Sequence, residues 1–471
     1  MAGIVYLVGA GPGDEGLITE KGKICIQKAD VILYDRLVNP RLLEYAKASC
    51  EFVYCGKLPK NHTIRQERIN SLLVEYAQTG KTVVRLKGGD PSVFGRVGEE
   101  AEELAKHHIA FEIVPGVTSS IAAAAYAGIP VTHREYSNTF TLSTGHCKRN
   151  NVEQELDFAA LSKSKTAAFY MGIQNLGSIC EQLILHGKNP HTPVAIIEWG
   201  TTGKQKTAVG TLQTIVEQVH ANGISNPAMT IVGEVVNLRE ALLWFEKKPL
   251  HGKKVLVAKA TAQSSKTAAM LREYGAEAWE VPHLVLENIP LSQTDAASAV
   301  VAERLVFCAK ESVGAFMEAV FATGMDARHL PLRIEAANEE CLIALAGNGI
   351  RASLAKQSAY ETVYIGHEGQ ADITKLYGDG KMLVTSRIRT DYRFDEPTSR
   401  LLQETAWDTV FFESTEAVAL FAAEMERFCA STDKLKYACL NEETEQAARQ
   451  SGFTVKDEEF IQFVRQQAVS V

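Results

Sequence analysis

The chain has 471 residues, of which 46% are hydrophobic and 23% are charged, and its formal net charge is -8. This is the balance of an ordinary globular protein, and the acidic charge argues against a general nucleic-acid binder. Nine cysteines are scattered without a CxxC pair, which favours reduced thiols over a disulfide framework or a zinc site. The N-terminus lacks a cationic region before its apolar run, and no apolar stretch reaches the length of a membrane span. The sequence therefore predicts a cytoplasmic protein that binds no nucleic acid, no membrane and no metal.

The first 115 residues alternate predicted strands and helices. Strands are predicted at Ile4–Val8, Val31–Tyr34, Phe52–Tyr54, Thr82–Leu86 and Phe111–Val114. Helical patterns lie between several of them, at Gln66–Ala77 and Glu99–His107. The alternation is typical of a mostly parallel sheet with crossover helices, and Pro115-Gly116 ends it.

Residues 117–248 follow a different pattern. Strands are predicted at Phe140–Ser143, Ala167–Met171, Val194–Trp199, Lys206–Leu212 and Met229–Val236. Two of these strands flank the turn 200–203 (GTTG), which predicts an antiparallel hairpin and therefore a mixed sheet. We expect an α/β fold of two subdomains, about 1–116 and 117–248, with a cleft between them.

The charged segment 246–254 (EKKPLHGKK) is the best domain boundary in the chain. Beyond it, in a second α/β domain at 253–471, strands are predicted at Val255–Ala258, Ala278–Val281, Leu305–Phe307, Leu342–Leu345, Thr362–Ile365, Met382–Thr385, Thr409–Phe412 and Lys436–Leu440.

The loop 9–14 (GAGPGD) follows the first predicted strand. A dinucleotide-binding loop is one interpretation, with Asp35 near the position of a ribose-binding acid. Against it, Asp14 stands where the third glycine of GxGxxG belongs, and Pro12 has no N–H to offer a pyrophosphate. A simple tight turn is the second interpretation. The third is a loop whose backbone approaches a phosphate-free ligand such as S-adenosylmethionine.

A second glycine turn, Gly88-Gly89-Asp90, follows the predicted strand Thr82–Leu86. Ligands of parallel α/β sheets bind at the carboxyl ends of strands, where both glycine loops fall. Glycine lets backbone amides and carbonyls approach a ligand closely. Asp90 could pair with the ammonium of a methionine moiety, and it equally fits a cap of the following turn.

Seven motifs occur in order along residues 1 to about 245. They are VYLVGAGPGDEGLIT (5–19), ILYDRLV (32–38), GK (56–57), VVRLKGGDPSVFGRVGEE (83–100), PGVTSSIAAAAYAGIPVTHR (115–134), FYMG (169–172) and NPAMTIVGEVVNLRE (226–240). Together they resemble the uroporphyrinogen-III C-methyltransferases of the tetrapyrrole methylase family. The resemblance implies two α/β subdomains with the ligand between them and a homodimer. It also implies transfer of two methyl groups from S-adenosylmethionine to uroporphyrinogen III, giving precorrin-2 for sirohaem or cobalamin.

The resemblance also assigns site residues. It implies S-adenosylmethionine contacts at Pro12, Gly88, Gly89, Asp90, Val93, Thr118, Ser119, Met171, Gly200 and Ala228. It implies that Asp35 accepts a proton and that Lys57 donates one. The family often continues Gly-Lys with Arg, and here Leu58 removes that charge.

The implied substrate carries many carboxylates, so a net-acidic protein must bind it with a local cluster of cations. Arg36, Lys87, Arg96 and Arg134 fall beside the motifs and are the candidates, although each could equally belong to a solvated charged face. Because the sulfonium is a strong electrophile, catalysis is largely a matter of positioning. Asp35 and Lys57 would handle the protons.

Residues 253–471 resemble uroporphyrinogen-III synthases more loosely, through the segments 256–282, 305–320 and 407–421. The resemblance implies two α/β lobes joined by two crossings, and the cyclisation of hydroxymethylbilane. The chain departs from it at Ala258-Lys259, where that family opens with an arginine, and in the family's Gly-x-x-Thr-Ala turns. Two interpretations stay open: an active synthase fused to the methyltransferase, or a methyltransferase with a non-catalytic C-terminal domain.

Overall fold

The computed structural model describes residues 3–56, 66–145, 148–149, 152–153, 156–368, 370 and 376–468. The chain divides into two compact units. The first comprises residues 1–259, 265–281 and 393–471, and the second comprises residues 260–264 and 282–392.

The first subdomain is a parallel sheet covered by helices. Its strands are β1 (Ile4–Gly9), β2 (Val31–Tyr34), β3 (Glu51–Tyr54), β4 (Thr82–Lys87) and β5 (Ala110–Val114). Its helices are α1 (Glu20–Lys28), α2 (Gln66–Gln78) and α3 (Val97–Lys106). The sheet order is β3-β2-β4-β1-β5, and every pairing is parallel. The five strands lie where the alternation predicts them, and most residues of β1, β2 and β4 are buried.

The second subdomain contains a mixed sheet. Its strands are β6 (Phe140–Thr144), β7 (Lys148–Arg149), β8 (Val152–Glu153), β9 (Thr166–Tyr170), β10 (Pro193–Glu198), β11 (Lys206–Thr211) and β12 (Ala228–Val232). Its helices are α4 (Ser119–Tyr126), α5 (Phe158–Lys163), α6 (Leu176–Leu185), α7 (Ile215–Ala221) and α8 (Arg239–Leu242). The order is β11-β10-β12-β9-β6, with β7 and β8 forming a separate pair. β10 and β11 form the expected antiparallel hairpin, while β6 and β9 are parallel.

The C-terminal half is also α/β. Its strands are β13 (Lys254–Ala258), β14 (Glu277–Val281), β15 (Leu284–Asn288), β16 (Arg304–Phe307), β17 (Ile334–Ala336), β18 (Ser353–Leu354), β19 (Thr362–His367), β20 (Gly380–Thr390), β21 (Thr409–Phe412) and β22 (Lys436–Ala438). Its helices are α9 (Lys266–Glu273), α10 (Gln293–Val300), α11 (Glu311–Ala322), α12 (Glu339–Gly347), α13 (Asp395–Glu404), α14 (Thr415–Arg427), α15 (Glu442–Gln450) and α16 (Glu458–Ala468).

The strands of this half are divided between two sheets. The parallel sheet β14-β13-β21-β22 belongs to the first unit, and the six-stranded sheet β15-β20-β19-β16-β17-β18 forms the second unit. The chain leaves the four-stranded sheet after β14 and returns to it through α13. The second unit is therefore inserted, in sequence, between two neighbouring parallel strands, β13 and β21.

One predicted strand of the C-terminal half is wrong. Leu342–Leu345 lies within helix α12, which begins after Asn338, whose side chain accepts a hydrogen bond from the N–H of Cys341. A short apolar run has the same composition in a buried strand and in a buried helix. The asparagine N-cap followed by Glu339-Glu340 was the signal for a helix.

Candidate active site

Three glycine-containing loops meet at the carboxyl ends of β1, β4 and β5. Gly11 and Gly89 exchange backbone hydrogen bonds, with N···O distances of 3.2 and 2.7 Å. A Cβ atom on Gly116 would lie 2.5 Å from the carbonyl oxygen of Gly89 and 2.8 Å from the Cα atom of Gly9. The loops thus pack backbone against backbone and form a floor of main-chain atoms where ligands of parallel α/β sheets bind.

Asp14 links the first glycine loop to the second subdomain. Its Oδ1 accepts from the N–H of Gly16 at 2.8 Å, and its Oδ2 accepts from the hydroxyl of Tyr126 at 2.6 Å. Its own N–H donates to Oγ1 of Thr201 at 3.0 Å. Burial raises the pKa of Tyr126, and the hydrogen bond to Asp14 raises it further, so the phenol remains a donor. The carboxylate of Asp14 therefore has a structural role.

Asp90 caps the second glycine turn with both carboxylate oxygens. Oδ1 accepts from the N–H of Ser92 at 2.7 Å, and Oδ2 accepts from the N–H of Gly116 at 3.0 Å. The N–H of Val93 donates to the carbonyl of Asp90 at 3.2 Å. Of the two roles considered for the Asp90 side chain, the structure shows the cap, and this cap fixes the turn that carries Gly88 and Gly89.

Tyr170, the last residue of β9, joins the segment around Ser119 to Met171. Its Oη lies 2.5 Å from Oγ1 of Thr118, and it accepts from the N–H of Ser120 at 3.2 Å. Met171 follows with a φ of 54°, and the residue is 51% exposed. Tyr170 lies within the FYMG motif, from which no role was predicted for it. Its place beside a predicted cofactor residue was the available signal.

Gly200 and Ala228 lie on adjacent segments of the second sheet. Gly200 starts the turn between β10 and β11, where a Cβ atom would lie 2.4 Å from the Cβ atom of Ala123 on α4. The N–H of Trp199 donates to the carbonyl of Pro227 at 3.0 Å, which ties this turn to the start of β12. The carbonyl oxygen of Gly200 also lies beside Gly13, the residue that follows Pro12 in the first glycine loop. Contacts therefore connect the predicted cofactor residues of both subdomains.

Asp35 follows β2 and is paired with a buried arginine. Nη2 of Arg85 lies 2.6 Å from Oδ1 of Asp35, and Nε of Arg85 lies 3.1 Å from Oε1 of Glu100. The side chain of Arg85 is 2% exposed and that of Asp35 is 32% exposed. Burial opposes the charge of Arg85, but the two carboxylates hold its pKa above the ordinary value. Asp35 is thus fixed by a permanently charged donor and still reaches solvent. Lys57, the predicted proton donor, lies outside the described residues.

Lys87 is placed differently from the expectation. Its Nζ lies 2.7 Å from Oε1 of Glu100, and both side chains are buried. Burial lowers the pKa of Lys87, and the neighbouring charge of Arg85 lowers it further, against the attraction of Glu100. A buried carboxylate needs such partners, so the ammonium is directed into the first subdomain. Lys87 is therefore a buried partner of Glu100, and its ammonium does not face the substrate side of the site.

The other predicted substrate-binding residues keep exposed guanidinium groups. Arg36 pairs with Glu404 at 3.2 Å, and Arg96 pairs with Glu99 through contacts of 2.6 and 2.9 Å. Arg134 is exposed. No hydrogen bond or ion pair among the described residues joins these three arginines to one another, and their binding of substrate stays a prediction.

A cavity of about 420 Å³ adjoins this site, a volume typical of a small-molecule pocket. Its walls include Pro12–Gly16, Arg36–Arg41, Trp199, Thr201–Lys204, Gly275–Trp279 and Arg400–Leu401, with Glu404 at one side. Gly88–Asp90 and Thr118 do not line it, so the cavity lies next to the predicted cofactor site instead of coinciding with it. The C-terminal half contributes part of its wall.

Within the described ranges, no group of three or more His, Cys, Asp or Glu side chains could hold a metal ion. Nor does this part of the chain contain a helix with the length and apolarity that crossing a membrane requires.

Known proteins are similar to this chain in sequence. Residues 4–216 match the family model of the tetrapyrrole (corrin/porphyrin) methylases. A uroporphyrinogen-III C-methyltransferase of Bacillus subtilis (strain 168) is 43% identical over 403 residues, covering 85% of this chain and 83% of that protein. A uroporphyrinogen-III C-methyltransferase of Priestia megaterium is 60% identical over 236 residues, covering 50% of this chain and 99% of that protein. The crystal structure of a uroporphyrin-III C-methyl transferase from Thermus thermophilus, complexed with S-adenosyl homocysteine, is 38% identical and covers 50% of this chain and 100% of that one, with a TM-score of 0.43.

Proposed function

The chain belongs to the uroporphyrinogen-III C-methyltransferases of the tetrapyrrole methylase family, and we propose that it methylates uroporphyrinogen III to precorrin-2 with S-adenosylmethionine. The observation that carries this proposal is the set of contacts among the predicted cofactor residues. They join the glycine floor of the first subdomain to Tyr170 and the β10–β11 turn of the second.

The hydrogen-bonding groups around the glycine loops fit a nucleoside without a phosphate. Pro12 has no N–H, and the carboxylates of Asp14 and Asp90 are already bonded to protein groups. We propose that the cofactor is held by Pro12, Gly88, Gly89, Asp90, Val93, Thr118, Ser119, Met171, Gly200 and Ala228. S-adenosylmethionine supplies an electrophilic methyl group.

Asp35 is the proposed proton acceptor. A pyrrole carbon that gains a methyl group must be held in line with the methyl donor, and a proton must then leave the macrocycle. The ion pair with Arg85 fixes the orientation of the Asp35 carboxylate, and its partial exposure lets a substrate reach it. Lys57 would donate a proton in the same reaction, and Arg36, Arg96 and Arg134 would bind carboxylates of the substrate.

Asp35→Asn and Lys57→Ala test this assignment. We expect each to lower methylation by about 100-fold or more, which is the usual contribution of a positioned acid or base. Affinity for S-adenosylhomocysteine should stay within about threefold of the wild type, because neither residue is among the proposed cofactor contacts. Transfer of labelled methyl groups to uroporphyrinogen III measures the first quantity and calorimetry the second.

The matched control is Asp30→Asn, at the opposite end of β2, which should keep its activity. Wild-type turnover in Asp35→Asn would remove that residue from the mechanism. Absence of methylation by the wild-type chain would overturn the proposed function.

For the C-terminal half we propose cyclisation of hydroxymethylbilane. What supports it is a four-stranded and a six-stranded α/β region that the chain crosses between twice. Incubating the full chain with hydroxymethylbilane should give the type III isomer. The type I isomer alone would favour the alternative, a non-catalytic C-terminal domain. We further propose a cytoplasmic homodimer, which a mass measurement in solution tests, and a product used for sirohaem or cobalamin.

A further inference from the structure

We propose that helix α13 of the C-terminal half is part of the methyltransferase's substrate site, where it holds Arg36 in position to bind a carboxylate of the tetrapyrrole. Glu404 and Arg400 are the positioning residues. The inference rests on the proposed function and extends it, because it gives the C-terminal half a part in methylation that is independent of any synthase activity.

Helix α13 is firmly docked on the first subdomain. The hydroxyl of Tyr34 donates to Oε2 of Glu396 at 2.6 Å. Burial raises the pKa of Tyr34, and the Glu396 carboxylate raises it further, so this donor keeps its proton. Just before the helix, the ring of Phe394 packs edge-on against Phe52 with centroids 5.6 Å apart. Phe394 thereby joins the apolar core of the first subdomain. The contacts are buried enough to fix the helix in place.

Two residues of this helix hold Arg36, which directly follows Asp35. Oε1 of Glu404 accepts from Nε of Arg36 at 3.2 Å, and Nη1 of Arg400 donates to the backbone carbonyl of Arg36 at 3.3 Å. Because the bond to Glu404 uses Nε, both η nitrogens of Arg36 can donate to a second carboxylate, in the bidentate geometry that arginine favours. The side chain of Arg36 is 43% exposed and lines the cavity together with Pro12.

Arg400 and Tyr54 place two buried donors near Arg36. Nη2 of Arg400 and Oη of Tyr54 are buried without a hydrogen-bond partner in the part of the chain that the structure describes. The guanidinium of Arg400 lies 5.4 Å from the centroid of the Tyr54 ring, and Nε of Arg400 is held by Glu396 at 3.1 Å. Unsatisfied buried donors cost free energy, and a nearby anion lowers that cost. This is a second observation that points to an anionic ligand beside Arg36.

Two substitutions of Glu404 separate positioning from charge. Glu404→Ala removes the acceptor that orients Arg36, whereas Glu404→Gln keeps an amide oxygen as acceptor and removes only the negative charge. We expect Glu404→Ala to raise KM for uroporphyrinogen III about 5- to 10-fold, with kcat within about twofold, because it loosens a group that contacts bound substrate. Glu404→Gln should have a KM equal to or below that of the wild type. The KM for S-adenosylmethionine should stay unchanged in both.

Binding of uroporphyrin III, the oxidised and unreactive form of the substrate, gives a readout that needs no turnover. Its Kd, measured by fluorescence, should follow the same order among the variants. In an Arg36→Ala background, Glu404→Ala should add no further effect, because the two residues act as one unit. Asp395→Asn is the matched control, since it breaks another exposed ion pair of α13, with Arg427 at 2.7 Å. It should leave KM and Kd unchanged.

Three results would overturn the inference: an unchanged Kd in Glu404→Ala, equal increases in Glu404→Ala and Glu404→Gln, or a lower KM in Glu404→Ala. The last would mean that Glu404 competes with the substrate for Arg36. A wild-type chain that binds uroporphyrin III without methylating uroporphyrinogen III would contradict the proposed function, while the comparison of Kd values would still decide the role of α13. Unchanged affinity for S-adenosylhomocysteine shows that each variant is folded.

Discussion

Gly116 illustrates how one hydrogen atom in place of a methyl group shapes the site. A Cβ atom there would meet the backbones of both Gly9 and Gly89 closer than any real van der Waals contact. The PGVT motif predicts a turn that contains glycine. It does not predict this contact, because which loops meet is decided by the parallel pairing of β1 with both β4 and β5.

Gly116→Ala should therefore separate the glycine loops. We expect a loss of about 1–3 kcal/mol in the free energy of unfolding, the usual cost of overpacking. Affinity for S-adenosylhomocysteine should fall at least about tenfold, since the floor of the site moves. Calorimetry and urea denaturation measure the two effects.

The control is Gly98→Ala in helix α3, where a Cβ atom would have no neighbour within 4 Å. Alanine in a helix is favoured over glycine by about 0.5–1 kcal/mol, so this variant should be as stable as the wild type or slightly more stable. Equal behaviour of the two variants would contradict the steric explanation of Gly116.

The side-chain pairs of the site could not be predicted from the sequence, although several of their members could. Asp35 and Arg85 lie in two of the quoted motifs, but their ion pair follows from the neighbouring positions of β2 and β4. Lys87 looked like a substrate ligand because its motif lies near a loop, and its burial against Glu100 could not be read from spacing. Arg400 lies 364 residues beyond Arg36, and no local signal connects them.

At the scale of elements, the strands that could be predicted are those in which most side chains are buried. The strands β1 and β2 are apolar runs bounded by turn residues, and their positions match the expectation. The hairpin of β10 and β11 was predictable from its turn. No strand is predicted at β15, β17 or β18, because these strands are short and mostly not buried. The strand predicted at Leu342–Leu345 is wrong, because a short apolar run does not distinguish a strand from a helix.

Asp457 connects the starts of β13, β21 and α16 in the four-stranded region. Its Oδ2 lies 2.6 Å from Nζ of Lys253 and accepts from Oγ1 of Thr409 at 2.6 Å, just before α16 begins. Burial alone would raise the pKa of Asp457, but the hydrogen bonds from Lys253 and Thr409 hold it below the usual range. A carboxyl whose pKa is lowered on folding stabilises the protein above its unfolded pKa, and that stabilisation is lost as the pH falls through the folded value.

Asp457→Asn should thus lower the free energy of unfolding by about 1.5–3 kcal/mol between pH 5 and pH 8. The difference from the wild type should shrink as the pH falls below about 4, the usual pKa of an unfolded aspartate, because the unfolded chain then takes up a proton before the folded chain does. Urea denaturation across this pH range measures it. Asp433→Asn, at an exposed turn, should match the wild type throughout. A difference that stays constant down to pH 3 would assign the effect to packing instead of charge.

At the scale of the whole molecule, the methyltransferase half has the length of a separate protein. The Priestia megaterium relative matches 50% of this chain over 99% of its own length. Residues 1–248 alone should therefore fold and bind S-adenosylhomocysteine with a Kd within about threefold of that of the full chain.

The same truncated chain lacks α13, so Arg36 loses both of its holding contacts. The KM of the truncated chain for uroporphyrinogen III should rise about as much as in Glu404→Ala, by roughly 5- to 10-fold. Steady-state kinetics of the full and truncated chains side by side measure this. A truncated chain with the KM of the full chain would show that the C-terminal half is not needed to position Arg36.

The insertion of the second unit between β13 and β21 has a consequence for synthesis on the ribosome. β13 and β14 emerge early, but β21, the second neighbour of β13, follows only after residues 282–408 have been made. Translation adds ~5–20 residues per second, so one edge of β13 stays unpaired for on the order of 10 s before β21 is made. An apolar parallel strand with an unpaired edge is a template for wrong pairing. The methyltransferase half can fold before that interval begins, so nascent-chain aggregation should be concentrated in the four-stranded region.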